Sequence, residues 1–417
     1  MCDGQTKNMK RKSIDYDDLL EYTLELGKCM LQCGAEVRRV EDTIIRVVRA
    51  YGAEYSEVFS VTAFVLVTVK WENGHKSTQT KRVKEFETNL QKLEEYNELA
   101  RYICRETPEV EEIREILKEL SQNRKRDWID AIGYCLSAGV LTVFFGGSVW
   151  DAFAAGLVGL FVFFFDRFLT SPGANRLVYT AFACMVSGWF AILLVDVGFG
   201  NNLDAIMIGC IMLFIPTLAL CNSLKDVLHG DILTGIYRSV EAVLIAAAIA
   251  VGIFIANLTL GGIRGGVPHE QSVSVPVQIV TAVLCGVGLS IYFHIHRKKI
   301  WTAALGGGIS WVIYLIIFAA TQNDFFSNAV AAFAICLYSE IMARLIKAPA
   351  NIFLIPAVVP LLPGNYFYHA VAGLINGDMT MFVSYGESTL AVVFGLEIGL
   401  MIAFILYTKL LKMKIHL

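Results

Sequence analysis

The chain has 417 residues, of which 55% are hydrophobic and 18% are charged, and its formal net charge is −3 at pH 7. The charges are unevenly placed: residues 1–127 hold 22 of the 35 Lys and Arg residues and 24 of the 38 Asp and Glu residues. This contrast predicts a soluble domain joined to a membrane domain, and it excludes a secreted protein, a disordered chain and a single globular enzyme. There is no basic stripe interleaved with aromatic residues, so no nucleic acid partner is expected.

The first 127 residues predict a small cytosolic α+β domain. Apolar residues recur at helical spacing in four segments, and the Asn73-Gly74 dipeptide between the second and third is a strong hairpin signal that indicates a small antiparallel sheet. The four helices are predicted over residues 15–33, 37–51, 93–103 and 110–120. The first 30 residues lack an apolar run before a cleavage site, so no signal peptide is predicted.

Catalytic chemistry is not apparent in this domain. His75 is its only histidine, and it contains no nucleophile elbow, P-loop or paired metal motif. Glu36, Arg39 and Glu41 would either sense a ligand, contact the membrane domain or form an ordinary solvated helix face. Cys29 and Cys33 would share a helix face, but the ten scattered cysteines are typical of reduced packing residues. We expect no enzyme, no metal and no cofactor.

The rest of the chain predicts ten transmembrane helices, because most of its apolar segments approach the roughly 20 residues that cross a bilayer. The first five segments form a repeat over 128–260 and the last five a repeat over 276–417. The segments run over about 131–147, 151–169, 177–196, 204–222, 238–260, 276–294, 300–321, 326–344, 351–374 and 388–410.

The basic residues predict the orientation, since cytoplasmic loops carry the excess of Lys and Arg. With the soluble domain inside, twelve of the thirteen basic residues after position 127 fall on the cytoplasmic side and Arg264 falls on the other. We therefore predict a multi-pass protein of the cytoplasmic (plasma) membrane, the cell inner membrane, with both termini in the cytoplasm. His294 and His296 lie beside three of these basic residues and add to this signal rather than indicate a metal site. The twelve are Arg167, Arg176, Lys225, Arg238, Arg297, Lys298, Lys299, Arg344, Lys347, Lys409, Lys412 and Lys414.

Two segments with the same spacing relate the halves. One runs from Pro216 to Gly230-Asp231 and the other from Pro363 to Gly377-Asp378, at an offset of 147 residues. A second trace pairs the small residues of 155–159 with those of 304–308. Because five helices per half is an odd number, the second copy must be upside down, as in the inverted repeats of many secondary transporters.

The prolines of these segments predict a substrate site. Pro216 in the fourth segment and Pro356, Pro360 and Pro363 in the ninth would break helices at membrane depth, which is tolerated where they line a cavity. A single proline would more often be a simple kink, but a matched pair is typical of a transporter site. Two side chains that could hydrogen-bond a substrate occupy equivalent positions, six residues after Pro216 and Pro363. They are Asn222 and His369.

Carboxylates within membrane segments are costly and therefore candidates for coupling or gating. Glu397 is the deepest of them, while Glu241, Asp231 and Asp378 lie nearer the faces. A buried hydrogen bond for Glu397 and helix capping for the two Asp residues are the alternatives. Since no nucleotide-binding motif is present, a secondary exporter of a small polar metabolite driven by the proton gradient is the leading hypothesis. A membrane-bound enzyme or ligand-sensing regulator that uses the N-terminal domain is the alternative from another class, and a channel is the third.

Several motifs resemble the threonine/serine exporter family, including its split two-subunit form. The similar segments are CGAEVRRVEDTIIRV, TKRVKEFETNLQKLEEYNELAR, NSLKDVLHGDILTGIYRSVEAVLIA and LLPGNYFYHAVAGLINGD. The resemblance implies ten helices and export of threonine and serine, with small dicarboxylates such as succinate attributed to some split members. It adds Asp226, Gly364 and Tyr368 to the substrate-site candidates. His369 departs from the family pattern, which has arginine there. Expected partners are the substrate, protons and the lipid bilayer, and a homo-oligomer stays open.

Overall fold

The computed structural model describes residues 15–84, 88–122, 127–169, 175–261 and 273–415. Its contacts divide the chain into two compact units, Met1–Glu87 with Lys92–Arg124, and Thr88–Gln91 with Lys125–Leu417. Arg264 lies outside the described residues, as do the side chains of Lys412 and Lys414.

The first unit combines four helices with a three-stranded antiparallel sheet in the order β1-β2-β3, as the sequence predicts. Gly74 has a φ of 82° in the hairpin between β2 and β3, a conformation that glycine adopts without strain. The elements are α1 (Tyr16–Gln32), α2 (Val37–Ala50), β1 (Ala53–Val61), β2 (Phe64–Trp71), β3 (Lys76–Arg82), α3 (Leu90–Glu106), most of which belongs to this unit, and α4 (Val110–Gln122).

The sheet is amphipathic because alternate residues of a strand point to opposite faces. In β2 the side chains of Val65, Val67, Val69 and Trp71 are fully buried, while Lys70 is exposed. Burying each of these side chains contributes roughly 1.5–3 kcal/mol, so the alternation determines which face of the sheet is covered.

The second unit is entirely helical within its described residues. Two short 3-10 turns, Arg297–Lys299 and Val359–Leu361, accompany its twelve α-helices. These are α5 (Asp127–Phe144), α6 (Val149–Leu169), α7 (Arg176–Asp196), α8 (Leu203–Ile211), α9 (Thr217–His229), α10 (Ile232–Leu260), α11 (Val275–Tyr292), α12 (Ile300–Thr321), α13 (Asp324–Ile346), α14 (Asn351–Val358), α15 (Gly364–Asn376) and α16 (Met379–Ile415).

Among the described residues, seven of these helices are long and apolar enough to cross a membrane, and the bent pair α14 and α15, which meet at 49°, brings the number to eight. Ten spans are not reached by length and composition, for two local reasons. The apolar part of α5 is short, and the fourth predicted segment is divided into α8 and α9.

Two helix starts differ from those that hydropathy predicts. Helix α10 begins at Ile232 rather than 238, and α16 begins at Met379 rather than 388, so the expected loop before 388 is largely helical. For α16 the reason is Asp378, whose side chain accepts a hydrogen bond of 3.0 Å from the backbone N–H of Met381 and caps the helix. A polar first turn lowers hydropathy but does not prevent helix formation.

Small residues allow close helix packing in both halves of this unit. A Cβ atom on Gly159 of α6 would lie 2.6 Å from the carbonyl oxygen of Tyr134 in α5. A Cβ atom on Gly308 of α12 would lie 2.5 Å from a methyl carbon of Val283 in α11. Gly159 therefore sits where two helix backbones approach, whereas Gly308 makes room for a side chain of the neighbouring helix.

Candidate functional site

Two helix breaks in the membrane unit have the same local geometry. Pro216 precedes α9 with φ −77° and ψ 57°, and Pro363 precedes α15 with φ −79° and ψ 45°. Both helices have 13 residues and end at a glycine in the left-handed region, Gly230 with φ 98° and Gly377 with φ 73°. Proline lacks an N–H and glycine tolerates positive φ, so the residue types explain both ends of each short helix.

Neighbouring side chains satisfy backbone carbonyls near the breaks. The Tyr292 hydroxyl donates a hydrogen bond of 3.0 Å to the carbonyl oxygen of Leu213, just after α8. The Ser310 hydroxyl donates one of 2.8 Å to the carbonyl oxygen of Ala357 in α14. Irregular backbone at membrane depth requires such partners, so both breaks are stable parts of the fold.

Helix α15 contacts helix α8 through two residues that the family motif indicated. The buried Tyr368 hydroxyl donates a hydrogen bond of 2.8 Å to Oδ1 of Asp204. A Cβ atom at Gly364 would overlap the sulfur of Met212, at the end of α8. The beginning of α15, in the second broken segment, thus packs on α8, in the first.

Helix α14 contacts helix α9 through a chain of buried polar side chains. Nδ2 of Asn351 donates a hydrogen bond of 3.0 Å to Oδ1 of Asn222. Nζ of Lys225 donates one of 2.9 Å to Oδ1 of Asn351. The three side chains are 2%, 0% and 5% exposed, in the order Asn351, Asn222, Lys225. We call helices α8, α9, α14 and α15 the broken-helix crossing, because each broken segment contacts the other through both of its helices.

Three polar residues of the crossing were not among the site residues that the sequence predicts. They are Asp204, Lys225 and Asn351. Asp204 and Asn351 are 147 positions apart, which is the offset between Pro216 and Pro363. Extending that offset to the start of each broken segment would have found both residues. Lys225 has no such signal, since position 372 is an alanine.

Asp226 forms an ion pair with Arg238, in which Nη1 lies 3.3 Å from Oδ2 and both side chains are almost fully buried. This corrects one part of the orientation argument, because the sequence assigned Lys225 and Arg238 to a cytoplasmic turn. Both are interior side chains that pack between helices. Breaking a buried ion pair by removing one partner is costly, about 3–5 kcal/mol, so Asp226 has a structural role whatever its part in binding.

His369 is buried and packs among aromatic rings. Its ring centroid lies 5.2 Å from that of Tyr385 in α16 and 5.4 Å from that of Tyr368. Nearby in α15, the Tyr366 hydroxyl donates a hydrogen bond of 2.8 Å to Asp324 at the start of α13. Asn222 and His369 therefore occupy matching positions after the two prolines, and they pack against different helices.

The candidate gating carboxylates have contrasting surroundings. Asp378 is exposed and caps α16, which favours the capping alternative. Asp231 occupies the same position before α10, but its side chain makes no capping hydrogen bond. Glu241 pairs with Arg176 at 3.0 Å, at the beginning of α7.

Glu397, the deepest carboxylate in the sequence, is partly buried on α16. Within the described part of the chain its carboxylate makes no hydrogen bond or ion pair. Helix α16 packs on α9, where the ring of Phe404 lies 4.9 Å from that of His229. Glu397 also lies within electrostatic range of the Cys221 thiol, one residue before Asn222. The structure therefore brings Glu397 beside the broken-helix crossing.

In the first unit, the candidate residues have structural surroundings. Glu41 accepts hydrogen bonds of 2.8 and 2.9 Å from the backbone and hydroxyl of Ser60, which joins α2 to β1. Cys29 and Cys33 are buried side chains. In both units, the described residues contain no group of three or more His, Cys, Asp or Glu side chains placed to hold a metal ion.

These features define a multi-pass α-helical membrane protein with two broken helices in its core, the arrangement typical of secondary transporters. The chain belongs to the threonine/serine exporter family. Residues 21–259 match the family described as "Putative threonine/serine exporter", and residues 278–406 match "Threonine/Serine exporter, ThrE". The resemblance that the motifs indicated is confirmed.

Several named proteins are similar to this chain over most of its length. A probable threonine/serine exporter of Mycobacterium tuberculosis is 23% identical, over 93% of this chain and 78% of its own. A threonine/serine exporter of Corynebacterium glutamicum is 22% identical, over 87% and 77%. A probable succinate transporter subunit of Escherichia coli is 27% identical, over 58% of this chain and 95% of its own. No solved structure matches the chain.

Proposed function

We propose that this protein is a secondary active exporter of small polar metabolites, threonine and serine foremost, driven by the proton gradient. The observation that carries the proposal is the broken-helix crossing, where two matched breaks bring buried polar side chains of both halves together. The names of the mycobacterial relative and of the corynebacterial relative support threonine and serine as the substrates. The sequence offers no nucleotide-binding motif to supply energy, so an ion gradient must drive export.

We propose an architecture of ten spans in two inverted repeats, with α5 to α10 in the first and α11 to α16 in the second. The support is the common offset of 147 residues, the equivalent caps at both ends of α9 and α15, and the reciprocal contacts of Asp204 and Asn351. In this arrangement α8 with α9, and α14 with α15, are the discontinuous fourth and ninth spans.

The substrate would bind at the crossing, where inverted repeats bring their broken helices to the membrane midplane. Asn222, Tyr368 and His369 supply buried polar groups there, and Asp226 holds Arg238. Pro216, Pro363 and Gly364 shape the backbone that surrounds them.

Proton coupling would use Glu397. It is a partly buried carboxylate beside the crossing that no described ion pair or hydrogen bond engages, so its proton can exchange with solvent along the transport path. Asp231 and Glu241, at or near the beginning of α10, and Asp378 at the beginning of α16, are the gating candidates. Asp231 and Asp378 lie at helix ends, and Glu241 pairs with Arg176 at the beginning of α7, which suits a role at the faces of the membrane.

The proposed location is the plasma membrane, with the domain at 1–127 and both termini in the cytoplasm. Because Lys225 and Arg238 are buried, they no longer support this orientation, which rests on the exposed basic residues. Arg167, Arg176, Arg297, Lys298, Arg344, Lys347 and Lys409 are all exposed at turns or helix ends that this orientation puts on the cytoplasmic side. The name of the Escherichia coli relative describes a subunit, which supports an assembly of chains.

Export of small dicarboxylates such as succinate is the second candidate. The name of the Escherichia coli relative suggests it, and the buried Lys225 ammonium favours it because a cation in a protein interior attracts carboxylates.

Transport in inside-out vesicles tests both candidates. Radiolabelled threonine, serine and succinate would be supplied outside the vesicles, with and without an imposed pH gradient. We expect threonine and serine to accumulate only when the gradient is present. Accumulation of succinate alone would assign the dicarboxylate function, and accumulation that ignores the gradient would contradict proton coupling.

A further inference from the structure

Lys225 is a buried cation of the broken-helix crossing. Its ammonium donates to the amide oxygen of Asn351, a neutral acceptor. Hydrogen bonds from an ammonium to a carboxylate are about twice as strong as those between neutral groups. A substrate carboxylate that reached this point would therefore displace the Asn351 oxygen from Lys225 at a gain, while the Asn351 amide keeps its hydrogen bond to Asn222.

Glu397 is the opposite charge beside the same helix. Helices α9 and α16 lie side by side, with His229 of α9 against Phe404 of α16. About two turns earlier in each helix lie Cys221, in α9, and Glu397, in α16. The Cys221 thiol lies within electrostatic range of both Glu397 and Lys225. One short stretch of α9 is therefore flanked by a cation from its own next turn and an anion from α16.

We propose that Lys225 and Glu397 together recognise the zwitterionic head group of an amino acid, with the substrate carboxylate at Lys225 and the substrate ammonium at Glu397. The assignment rests on the proposed transport function and goes further, because it names the two residues that select the head group of the substrate. A dicarboxylate fits this pair poorly, since its second carboxylate would meet the like charge of Glu397.

Two analogues of serine test the two ends of the head group separately. Glycerate has a hydroxyl in place of the ammonium, and ethanolamine lacks the carboxylate. Each would compete with labelled threonine for transport by the wild-type protein in vesicles. We expect serine to inhibit at concentrations at least about 10-fold lower than either analogue, because each analogue loses one charge-assisted hydrogen bond.

Variants then assign each end to a residue. Lys225→Met should raise the KM for threonine at least about 10-fold, and Lys225→Arg, which keeps the charge, should restore part of the loss. Asn351→Asp would give Lys225 a competing carboxylate and should raise the KM without removing the buried cation. Glu397→Gln should raise the KM for threonine and reduce the preference for serine over glycerate, while the exposed Glu387→Gln on the same helix should change neither.

The outcomes distinguish a failure of the Lys225 and Glu397 proposal from a failure of the proposed exporter function. If the wild-type protein moves threonine and serine but glycerate and ethanolamine compete as well as serine, the exporter stands and the charge pair is wrong. An unchanged KM in Lys225→Met and Asn351→Asp would likewise overturn it. Transport of succinate but not of threonine overturns the charge pair and leaves the dicarboxylate function, and transport of none of the three overturns the proposed function itself.

Discussion

Lys225 and Asn351 are 126 positions apart in the chain and are joined by a hydrogen bond of 2.9 Å between an ammonium group and an amide oxygen. The bond connects the later helix of one broken segment to the earlier helix of the other. The contact of Tyr368 with Asp204 makes the reciprocal connection. Polar side chains thus join the two segments alongside apolar packing such as that of Gly364 on Met212. Substitutions that alter this polar network should therefore affect transport.

Replacing Asn222 or His369 with alanine should abolish threonine transport. Asn222→Ala removes the acceptor of the Asn351 amide and leaves a buried donor unsatisfied, at a cost of about 1–3 kcal/mol. His369→Ala removes a ring packed against Tyr385. Transport and membrane protein levels would be measured together. The exposed Asn376→Ala is the control, and normal transport by both variants would remove these two residues from the site.

Tyr368→Phe removes the hydroxyl that bonds to Asp204 and keeps the ring that fills the core. We expect a loss of about 1–2 kcal/mol in the stability of the crossing, seen as a lower thermal midpoint in detergent, together with slower transport. Tyr237, which is 51% exposed, provides the matched control Tyr237→Phe. Equal midpoints for the two variants would show that the Asp204 contact does not stabilise the crossing.

Glu397→Gln should uncouple transport from the proton gradient. Glutamine keeps the size of a protonated carboxyl group but cannot release a proton. At saturating threonine the variant should still exchange labelled for unlabelled substrate, but it should not accumulate threonine when a pH gradient is imposed. Unchanged pH-dependent accumulation would show that another group carries the proton, and Asp231, Glu241 and Asp378 would be tested next.

The orientation is open to single-cysteine labelling of intact cells. Thr321 and Met379 are exposed at the ends of α12 and α16 that we assign to the outer side, whereas Lys298 and Lys347 are exposed on the proposed cytoplasmic side. Thr321→Cys and Met379→Cys should react with an impermeant thiol reagent, above the background of the parent protein. Lys298→Cys and Lys347→Cys should react only after the cells are opened, and their labelling in intact cells would reverse the proposed topology.

An ion-pair cluster makes the first unit sensitive to acid. Burial raises the pKa of Glu25, but hydrogen bonds from Lys28 and Lys81 outweigh it and lower the pKa below its ordinary value of 4.5. The stability that Glu25 contributes is therefore present above about pH 4.5 and is lost as the pH falls through the lowered pKa. Glu25→Gln should lower the local stability of α1 and β3 at pH 7 by about 0.5–1 kcal/mol, which would be measured as faster amide hydrogen exchange in these two elements. The exchange rates of the variant should also change less than those of the wild type when the pH is lowered below 4.5. Amide exchange rates in the variant that equal those of the wild type, both at pH 7 and below pH 4.5, would contradict a stabilising role for Glu25.

The sequence by itself determined the division into a charged domain and an apolar one, the small sheet and its Asn73-Gly74 hairpin, the breaks at Pro216 and Pro363, and the family. These properties depend on composition, on local periodicity and on residues whose backbone preferences act wherever they stand. Proline fixes its φ angle, and glycine tolerates a positive φ, without help from distant parts of the chain.

Only the tertiary structure decided which polar residues meet. Lys225 and Arg238 are residue types that usually lie in exposed loops. Both are buried because Lys225 bonds to Asn351 and Arg238 pairs with Asp226. Helix α16 begins at Met379, earlier than its hydropathy indicates, because Asp378 caps it. The physical reason is the same in each case: a charged side chain can be buried or exposed according to its partners, and partners distant in the chain are not visible in local sequence.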